Sequence, residues 1–388
     1  MSSVIGIVSE YNPLHSGHAY HITESKRRVG QGAAVICVMS GTVTQRGELA
    51  IIDKHSRATA AIKAGADVVL ELPSEFACAS ADIFSAKALQ IMDATGVVTH
   101  LSFGCQTGAL DGVKALAGLP TLYDTPNIAD AQRAPLRSYA AQYQLFASEK
   151  CPEYAHLLKD ANNLLGICYL RNLSPHIVPI AVTRQGVAHD GGIAGGYASA
   201  SAIRKIWRCG EDEPYTTPEM AEIFAAQKGR GFAPILIAHN RRGLLQKLRG
   251  LTAEEWRALP DVTEGLEYKF MQAVAQAKTF DELLQAVKSK RYTLARLRRI
   301  AMCAYLGITA ERQQAPPQYL RVLALSQAGR GILKQMSLTA SLPIIIKPSK
   351  HRDFLTFEAN VTDLATLCRP MIGVAGGEWQ ASPFVEGK

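Results

Sequence analysis

Short apolar runs alternate with amphipathic stretches over the first hundred residues of the chain. Four runs predict strands, the wholly apolar Val4–Val8 and the mainly apolar Ala33–Met39, Asp67–Leu72 and Val97–Phe103. Strands without polar alternation are typical of parallel sheets that are covered on both faces. Periodic stretches between them predict helices over residues 17–29, 54–64 and 80–94. The predicted fold class is therefore α/β, a doubly wound parallel sheet of the Rossmann-like kind, in which ligands bind beyond the carboxyl ends of the strands.

The pattern changes after the fourth strand. Residues 107–180 are mixed and mostly helical, and residues 186–196 contain five glycines, which predicts a flexible loop. From Ala200 onward the pattern is mainly helical, with one apolar, strand-like run at Leu342–Ile346. No apolar stretch is long enough to span a bilayer, and the N-terminus lacks the pattern of a signal peptide, so we expect a cytoplasmic protein with no membrane partner.

Charge separates the two halves of the chain. The net charge is +8, yet residues 1–199 carry 15 Lys and Arg against 16 Asp and Glu. Residues 200–388 carry 27 against 18. A basic half beside a neutral one suggests a polyanionic partner, although a solvated surface would explain the charge equally well. The eight cysteines form no CxxC pair, so we expect free thiols and predict no metal site.

The candidate chemistry directly follows the first strand. A His-x-Gly-His motif, His15 to His18, opens the first predicted helix. Two imidazoles one turn apart at a helix N-terminus can meet a triphosphate from the same side, where the helix dipole adds positive potential. Gly17 lets a nucleotide approach the backbone closely. Elsewhere such a pair could be ordinary surface or core histidines, but after a buried strand and before a helix it indicates nucleotide binding.

A second segment supports this interpretation. Residues 198–204 resemble the Ser-Ser-x-x-Ile-Arg segment that closes on phosphates in the nucleotidyltransferase superfamily. Ser199 and Ser201 at a helix start, with Arg204 one turn later, can form an anion clamp. The alternative is a serine-capped helix with a surface arginine. We therefore predict His15, His18 and Arg204 as the catalytic residues, because donors aimed at charge developing on an α-phosphate accelerate its transfer.

Longer motifs give a resemblance to a known family. They are Gly6–His21, Met39–Gly41, Gln45–Glu48, Ile52–Lys54, Gly65–Pro73, Phe103–Gly104, Asn162–Gly166 and Arg291–Thr293. With them the chain resembles the bacterial tRNA(Met) cytidine acetate ligases over residues 1 to about 310. The resemblance implies that acetate and ATP give acetyl-adenylate and pyrophosphate. The acetyl group would then pass to N4 of the wobble cytidine of elongator tRNA(Met).

The resemblance also implies an ATP site in the segment that matches Val8–His21. Positions matching Gly104, one of Asn162 or Asn163, and Arg184 are expected to join it. The predicted ATP-binding residues are Val8, Glu10, Tyr11, Asn12, Pro13, His15, Ser16, Gly17, His18, His21, Gly104, Asn162, Asn163, Arg184, Ser199 and Ser201. Mg²⁺ is inferred from the chemistry of ATP rather than from a visible ligand set.

A dense basic segment is the candidate RNA contact. Its cations are Lys288, Lys290, Arg291, Arg296, Arg298 and Arg299. Such a face can neutralise backbone phosphates, and Tyr292 among them offers a ring for stacking, although charge runs are often solvated faces. We therefore divide the chain into an ATP-binding catalytic domain over residues 1–205 and a mainly helical, tRNA-binding region over residues 206–388.

Three other charged residues are ambiguous. Lys54 and Arg57 could reach phosphate or RNA, or lie on a solvated helix face, and Glu71 ends a strand where functional groups gather.

Two other functions also stay open. A small-molecule adenylyltransferase would use the same His-x-Gly-His site, and an RNA-binding protein could keep a nucleotide site without catalysis. The sequence does not fix the oligomeric state.

Overall fold

The computed structural model describes residues 3–30, 32–105, 110–120, 139–183, 193–194, 197–211, 214–263 and 265–387. The strands are β1 (Val4–Ser9), β2 (Ala34–Ser40), β3 (Val68–Leu72), β4 (His100–Cys105), β5 (Val178–Thr183), β6 (Ile193–Ala194), β7 (Tyr197–Ala198), β8 (Leu320–Leu325), β9 (Ile344–Ile345) and β10 (Phe384–Val385). Short 3-10 helices cover Ala155–Lys159, Ile237–Asn240 and Pro348–Lys350.

The helices fall into two sets. Those of the first half are α1 (Ser16–Val29), α2 (Lys54–Lys63), α3 (Ser74–Ala77), α4 (Ala81–Ala94), α5 (Leu110–Ala117), α6 (Tyr139–Lys150) and α7 (Ala161–Arg171). Those of the second half are α8 (Ala200–Arg208), α9 (Pro218–Gly229), α10 (Arg241–Arg249), α11 (Ala253–Arg257), α12 (Leu266–Gln276), α13 (Phe280–Val287), α14 (Leu294–Leu306), α15 (Ala310–Gln314), α16 (Gly329–Thr339), α17 (Arg352–Thr366) and α18 (Gly377–Gln380).

One central sheet organises these elements. Its strand order is β10-β8-β3-β2-β1-β4-β5, with β9 beside β8. Strands β1 to β5 pair in parallel, whereas β8 runs antiparallel to β3. The order reverses between β1 and β4, as in doubly wound folds, where the ligand crevice lies at that point. The predicted α/β fold class is confirmed.

The sheet is buried on both faces, as the wholly apolar run of β1 predicts. Alternate residues of β2 contribute to two separate cores. Ala34, Ile36 and Val38 pack with α4 on one side, whereas Val35, Cys37 and Met39 pack with α1 and α2 on the other. This alternation follows from the two-residue period of a strand. The sheet therefore separates two cores and holds its strands in fixed positions between them.

The later strands differ from the sequence analysis. The predicted runs reproduce β1, β2 and β3 closely, and β4 begins at His100 rather than Val97. Strands β5, β8 and β10 are not predicted. Because β8 pairs with β3, the sheet crosses the proposed division at residue 205, and that division stays a prediction about function. No helix in the described ranges is long and apolar enough to cross a membrane.

The glycine-rich segment is described only in part. Ile193–Ala194 pairs with Tyr197–Ala198 in a two-residue antiparallel ladder. The rest of the predicted flexible loop, residues 186–192 and 195–196, lies outside the described residues. Ser199 follows the ladder directly and is the N-cap residue of α8. The segment therefore ends where the predicted anion clamp starts.

Candidate nucleotide site

Two histidines shape the start of helix α1. His15 is the N-cap residue, and its Nδ1 accepts a hydrogen bond from the Gly17 amide at 3.1 Å. His18 Nδ1 accepts from the His15 amide at 3.3 Å, so the two rings form a reciprocal capping box. An imidazole nitrogen that accepts carries no proton. Each ring in its neutral form therefore bears its proton on Nε2, as a donor.

The rings are held in place by packing. His15 and His18 stack with centroids 3.8 Å apart and an interplanar angle of 28°. Tyr11 meets His18 edge-on at 5.1 Å. Tyr11 itself is buried, with a positive φ of 44°, a conformation that non-glycine residues adopt rarely. Such strain often accompanies functional sites, and here it sets the turn that carries the motif away from β1.

A cavity of about 360 Å³ opens beside the motif. It lies at the carboxyl ends of β1, β4 and β5, which contribute Ser9, Gly104 and Thr183. This is the crevice that the strand order predicts. Gly17 lines it, and a Cβ at that position would come within 3.0 Å of the His15 ring. A side chain at this position would therefore displace the His15 ring slightly and narrow the access of a ligand.

Arg204 approaches the same cavity from helix α8. Its Nη1 donates to the Asn12 carbonyl at 2.7 Å, and its Nη2 donates to Ser201 Oγ at 3.3 Å. Ser199 caps the helix by accepting from the Ala202 amide. Burial lowers the pKa of Arg204, and the carboxylate of Glu48 opposes that shift. An arginine remains protonated under these conditions, so the cavity holds a fixed, largely buried cation.

The cavity has an apolar wall opposite its polar edge. Phe84, Phe103, Leu164, Leu165 and Tyr169 supply this wall. Aromatic and aliphatic surfaces of this kind can cover a nucleobase and exclude water. A pocket with an apolar body and few polar groups at one edge is the usual form of a small-molecule site.

His21 extends the polar edge along helix α1. Its Nε2 lies 2.9 Å from Ser102 Oγ, which lies 2.7 Å from Ser25 Oγ. Ser25 Oγ in turn donates to the His21 carbonyl. The arrangement fixes the ring of His21 at the edge of the cavity.

Comparison with known proteins agrees with this geometry. The profile of the family described as HIGH Nucleotidyl Transferase matches residues 1–374. A tRNA(Met) cytidine acetate ligase from Syntrophomonas wolfei is 31% identical over 98% of this chain and 99% of its own length. One from Alkaliphilus metalliredigens is 34% identical over 93% of this chain and 91% of its own length. The chain belongs to the tRNA(Met) cytidine acetate ligase family.

Solved structures give the same assignment. Thermotoga maritima TmcAL, crystallised with α-thio ATP, matches with a TM-score of 0.89 at 28% identity, over 99% of both chains. Its apo form matches with a TM-score of 0.90. The family resemblance seen in the sequence motifs is confirmed, and the chain is an enzyme of the ligase class.

The predicted site residues of this ligase divide into three groups. Those that line the cavity are Val8, Glu10, Tyr11, Asn12, His15, Gly17, His18, His21, Gly104, Asn162, Ser199 and Arg204. Those that lie beside it without lining it are Pro13, Ser16, Asn163 and Ser201. Arg184 lies outside the described residues. The roles of all of them in binding and catalysis stay predictions.

The two candidate asparagines separate clearly. Asn162 lines the cavity, whereas Asn163 is buried and donates to the Leu157 carbonyl at 3.0 Å. Asn163 Oδ1 also accepts from the Cys105 thiol. Asn163 therefore joins β4 to the start of α7, and Asn162 is the one that can reach a ligand.

The sequence analysis gave no site role to the loop after β2. Thr44, Gln45, Arg46 and Glu48 all line the cavity. Gln45 donates its amide proton to Glu10 Oε1 at 2.7 Å, which ties the loop to the end of β1. Its position after a parallel strand, together with the Gln45–Glu48 family motif, is the signal that could have identified it.

The six candidate RNA contacts also differ from one another. Lys288, Lys290 and Arg291 are exposed, near the start of α14. Arg296 donates to the Asp261 carbonyl at 2.7 Å, and Arg299 pairs with the Asp261 carboxylate at 3.3 Å. Arg298 pairs with Glu48 at 3.0 Å, as described below. Their binding of tRNA stays a prediction, and only the first three present cations on an open surface.

Lys54, Arg57 and Glu71 are not part of this site. Lys54 is buried and forms ion pairs with Glu71 at 2.6 Å and Glu378 at 2.8 Å. Arg57 is fully buried and donates to the carbonyls of Glu10, Ser40, Gly41 and Ile52. The sequence analysis left open whether Lys54 and Arg57 contact phosphate or lie on a solvated helix face. Because both side chains are buried, both of these predictions are wrong. Both are interior cations: Lys54 pairs with buried carboxylates, and Arg57 joins the carboxyl ends of β1 and β2.

Proposed function

We propose that this protein activates acetate with ATP and transfers the acetyl group to N4 of the wobble cytidine of elongator tRNA(Met). The observation that carries the proposal is the convergence of His15, His18 and Arg204 on one cavity at the switch point of the sheet. The relatives named for this reaction cover almost the whole chain. A small-molecule adenylyltransferase would need the same residues, but not the basic second half.

The first half-reaction makes acetyl-adenylate. A carboxylate oxygen of acetate attacks the α-phosphorus, and the bond from that phosphorus to the β-phosphate bridging oxygen breaks. Pyrophosphate leaves with the electron pair of that bond. Negative charge grows on the phosphate oxygens, where the Nε2 donors of His15 and His18 and the cation of Arg204 stabilise it.

The second half-reaction moves the acetyl group. The cytidine N4 attacks the acetyl carbon, AMP leaves with its phosphate oxygen, and N4 loses one proton. This amine is weakly basic, so orientation and exclusion of water matter more than base catalysis. The apolar wall around Phe103 and Tyr169 keeps water from the mixed anhydride. An anticodon base is already single-stranded and can enter a pocket at low cost.

Mg²⁺ fits this site as a companion of ATP rather than as a resident ion. Among the described residues no group of three or more His, Cys, Asp or Glu side chains could hold a metal. Mg²⁺ usually needs one or two carboxylates plus phosphate oxygens, and Glu10 on the cavity wall is such a carboxylate. Bound there with ATP, the ion would neutralise charge on the phosphates.

The remaining assignments rest on the proposed reaction. The exposed cations Lys288, Lys290 and Arg291 are the RNA contacts of the second half. A cytoplasmic location suits a protein that uses tRNA and ATP and has eight free cysteines.

Transfer of labelled acetate tests the proposal. Unmodified elongator tRNA(Met) is incubated with the protein, ATP and ¹⁴C-acetate, and its nucleosides are separated by chromatography. We expect label in N4-acetylcytidine, dependent on ATP and lost in a transcript whose wobble cytidine is replaced by uridine. ATP consumption without labelled tRNA, coupled to AMP transfer onto a phosphate ester, would support the small-molecule adenylyltransferase instead.

A further inference from the structure

One carboxylate at the cavity edge meets three arginines from two distant helices. Glu48 Oε1 lies 3.0 Å from Arg298 Nη1, on α14. Glu48 Oε2 lies 3.4 Å from Arg208 Nη2 and 3.7 Å from Arg204 Nε, both on α8. We name Arg204, Arg208 and Arg298 the arginine cluster. Its cations would repel one another without the charge that Glu48 places between them.

The loop that carries Glu48 packs tightly against α14. Gly47 has a φ of 71°, and a Cβ there would lie 2.7 Å from the backbone nitrogen of Arg299. A bridge between Val43 and Leu49 closes the loop. The position of Glu48 therefore depends on α14 through backbone contact as well as through the ion pair with Arg298.

Arg204 depends on this arrangement more than its neighbours do. Only 14% of its side chain is exposed, against 46% for Arg208. Its Nε is buried and has no hydrogen-bond partner. Of the two carboxylates that oppose the effect of burial on its pKa, Glu48 contributes more than Glu10. The Nη atoms are fixed by Asn12 and Ser201. Glu48 completes this arrangement by placing a carboxylate beside Nε, the third nitrogen of the guanidinium.

We propose that Glu48 is a positioning residue that aims Arg204 at the nucleotide, and that Arg298 holds Glu48 for this purpose. The inference rests on the proposed function and deepens it. Helix α14 then serves the adenylation step in the absence of tRNA. Arg298, predicted from the sequence as an RNA contact, is assigned to the ATP site.

Acetate-dependent exchange of labelled pyrophosphate into ATP, measured without tRNA, tests the inference. We expect Glu48→Gln to lower kcat/KM for ATP by roughly tenfold to a hundredfold, the cost of misplacing a group by up to about 1 Å. Arg298→Met should lower it by about threefold to tenfold, and Arg298→Lys should recover part of the loss. Glu267→Gln and Arg257→Met, from an ion pair of 3.1 Å between α11 and α12, are the matched controls.

A double-mutant cycle separates positioning from a general structural effect. If Glu48 acts through Arg204, then Glu48→Gln causes almost no further loss in an Arg204→Met background. Independent, multiplying losses would overturn the proposal, as would unchanged exchange in Glu48→Gln and Arg298→Met. If the wild type shows no acetate-dependent exchange, the proposed function fails. The affinity of the same variants for a non-hydrolysable ATP analogue then decides the inference, with weaker binding in Glu48→Gln and Arg298→Met expected.

Discussion

Two clusters of charged residues lie near the carboxyl ends of β1 and β3, which β2 separates, and they differ in what surrounds them. The first contains His15, His18 and Arg204 beside β1 and borders open space. The second surrounds Lys54 beside β3 and is sealed in the interior. In the second cluster, Glu358 of α17 and Glu378 of α18 close over Lys54 and Glu71. Charged side chains thus line a candidate active site in the first cluster and stabilise the folded interior in the second.

The difference lies in what covers each cluster. Burial lowers the pKa of Lys54, but Glu378, Glu71 and Glu358 more than offset it and raise the pKa above its usual value. The lysine is therefore charged and paired, with no role left for a substrate. The position of a charged residue after a parallel strand is not enough to make it functional, because a segment 300 residues away can bury it.

The largest effect is expected from breaking the buried cluster. Lys54→Met removes the cation that pairs with Glu71 and leaves Glu378 with Arg321 alone. Breaking a buried ion pair in this way typically destabilises a protein by about 3–5 kcal/mol. Urea unfolding should show this loss, while pyrophosphate exchange per folded molecule stays close to that of the wild type. Lys63→Met, an exposed position on the same helix, should change the free energy of unfolding by less than about 0.5 kcal/mol. A loss below 1 kcal/mol for Lys54→Met would contradict a structural role.

Glu75, at the edge of this cluster, should make the stability of the protein depend on pH. Burial raises the pKa of Glu75 from 4.5 to about 7, and the nearby charge of Glu71 adds to the shift. The folded state therefore holds the proton more tightly, so this residue's contribution to stability is lost as the pH rises from about 4.5 to 7. Glu75→Gln should therefore gain about 3 kcal/mol of stability relative to the wild type between pH 4.5 and pH 8, as measured from urea midpoints. A difference that stays constant with pH would contradict the assignment.

A smaller change tests the other cluster. In Gly17→Ala the new Cβ would lie 3.0 Å from the His15 ring, which must move by a few tenths of an ångström. We expect exchange to fall by about threefold to tenfold with the free energy of unfolding nearly unchanged. Gly331→Ala, in an exposed helical position with open space around it, should leave exchange unaffected. Equal activity in the two variants would show that the ring position does not matter.

The smallest effect concerns the exposed cations near α14. Lys290→Ala should reduce the slope of log K for tRNA against log salt by about 1, with a modest loss of affinity. Binding curves at several salt concentrations measure it. Lys159→Ala, exposed in the neutral first half, should leave the slope unchanged. If Lys290→Ala and Lys159→Ala gave the same slope, Lys290 would not contact the RNA, and the proposed RNA-binding surface would be wrong.

The elements predicted from the sequence are those whose signal is local. Strands β1 to β4 are apolar runs, and the histidine motif lies where one of them meets a helix. Strand β8 is also mainly apolar, with Arg321 as its one charged residue, but the sequence analysis assigned the second half mainly to helices. The arginine is accommodated because it donates to the carbonyls of Val322, Ile345 and Ile346. Hydrogen bonds to residues of another strand cannot be recognised from the hydrophobic periodicity of the sequence, so β8 was not predicted.

The candidate site was likewise predictable only in part. The spacing of His15 and His18 along a helix start is enough to bring them to the same edge. Nothing in the local sequence distinguishes Asn162 from Asn163. Consecutive residues of a helix point in different directions, so on α7 Asn162 faces the cavity and Asn163 faces the core. The role of Glu48 depends on helices that begin 150 and 250 residues later in the chain, so only the folded structure shows it.

Acetate-dependent exchange of pyrophosphate into ATP, comparing the wild type with His18→Ala, tests the central claim most directly. We predict that the wild type exchanges only when acetate is present and that His18→Ala loses about 10²–10³-fold in rate, as expected for removing a donor to developing charge. Folding of the variant is checked by urea unfolding. Exchange that is independent of acetate, or that survives in a folded His18→Ala protein, would contradict acetyl-adenylate formation at this motif.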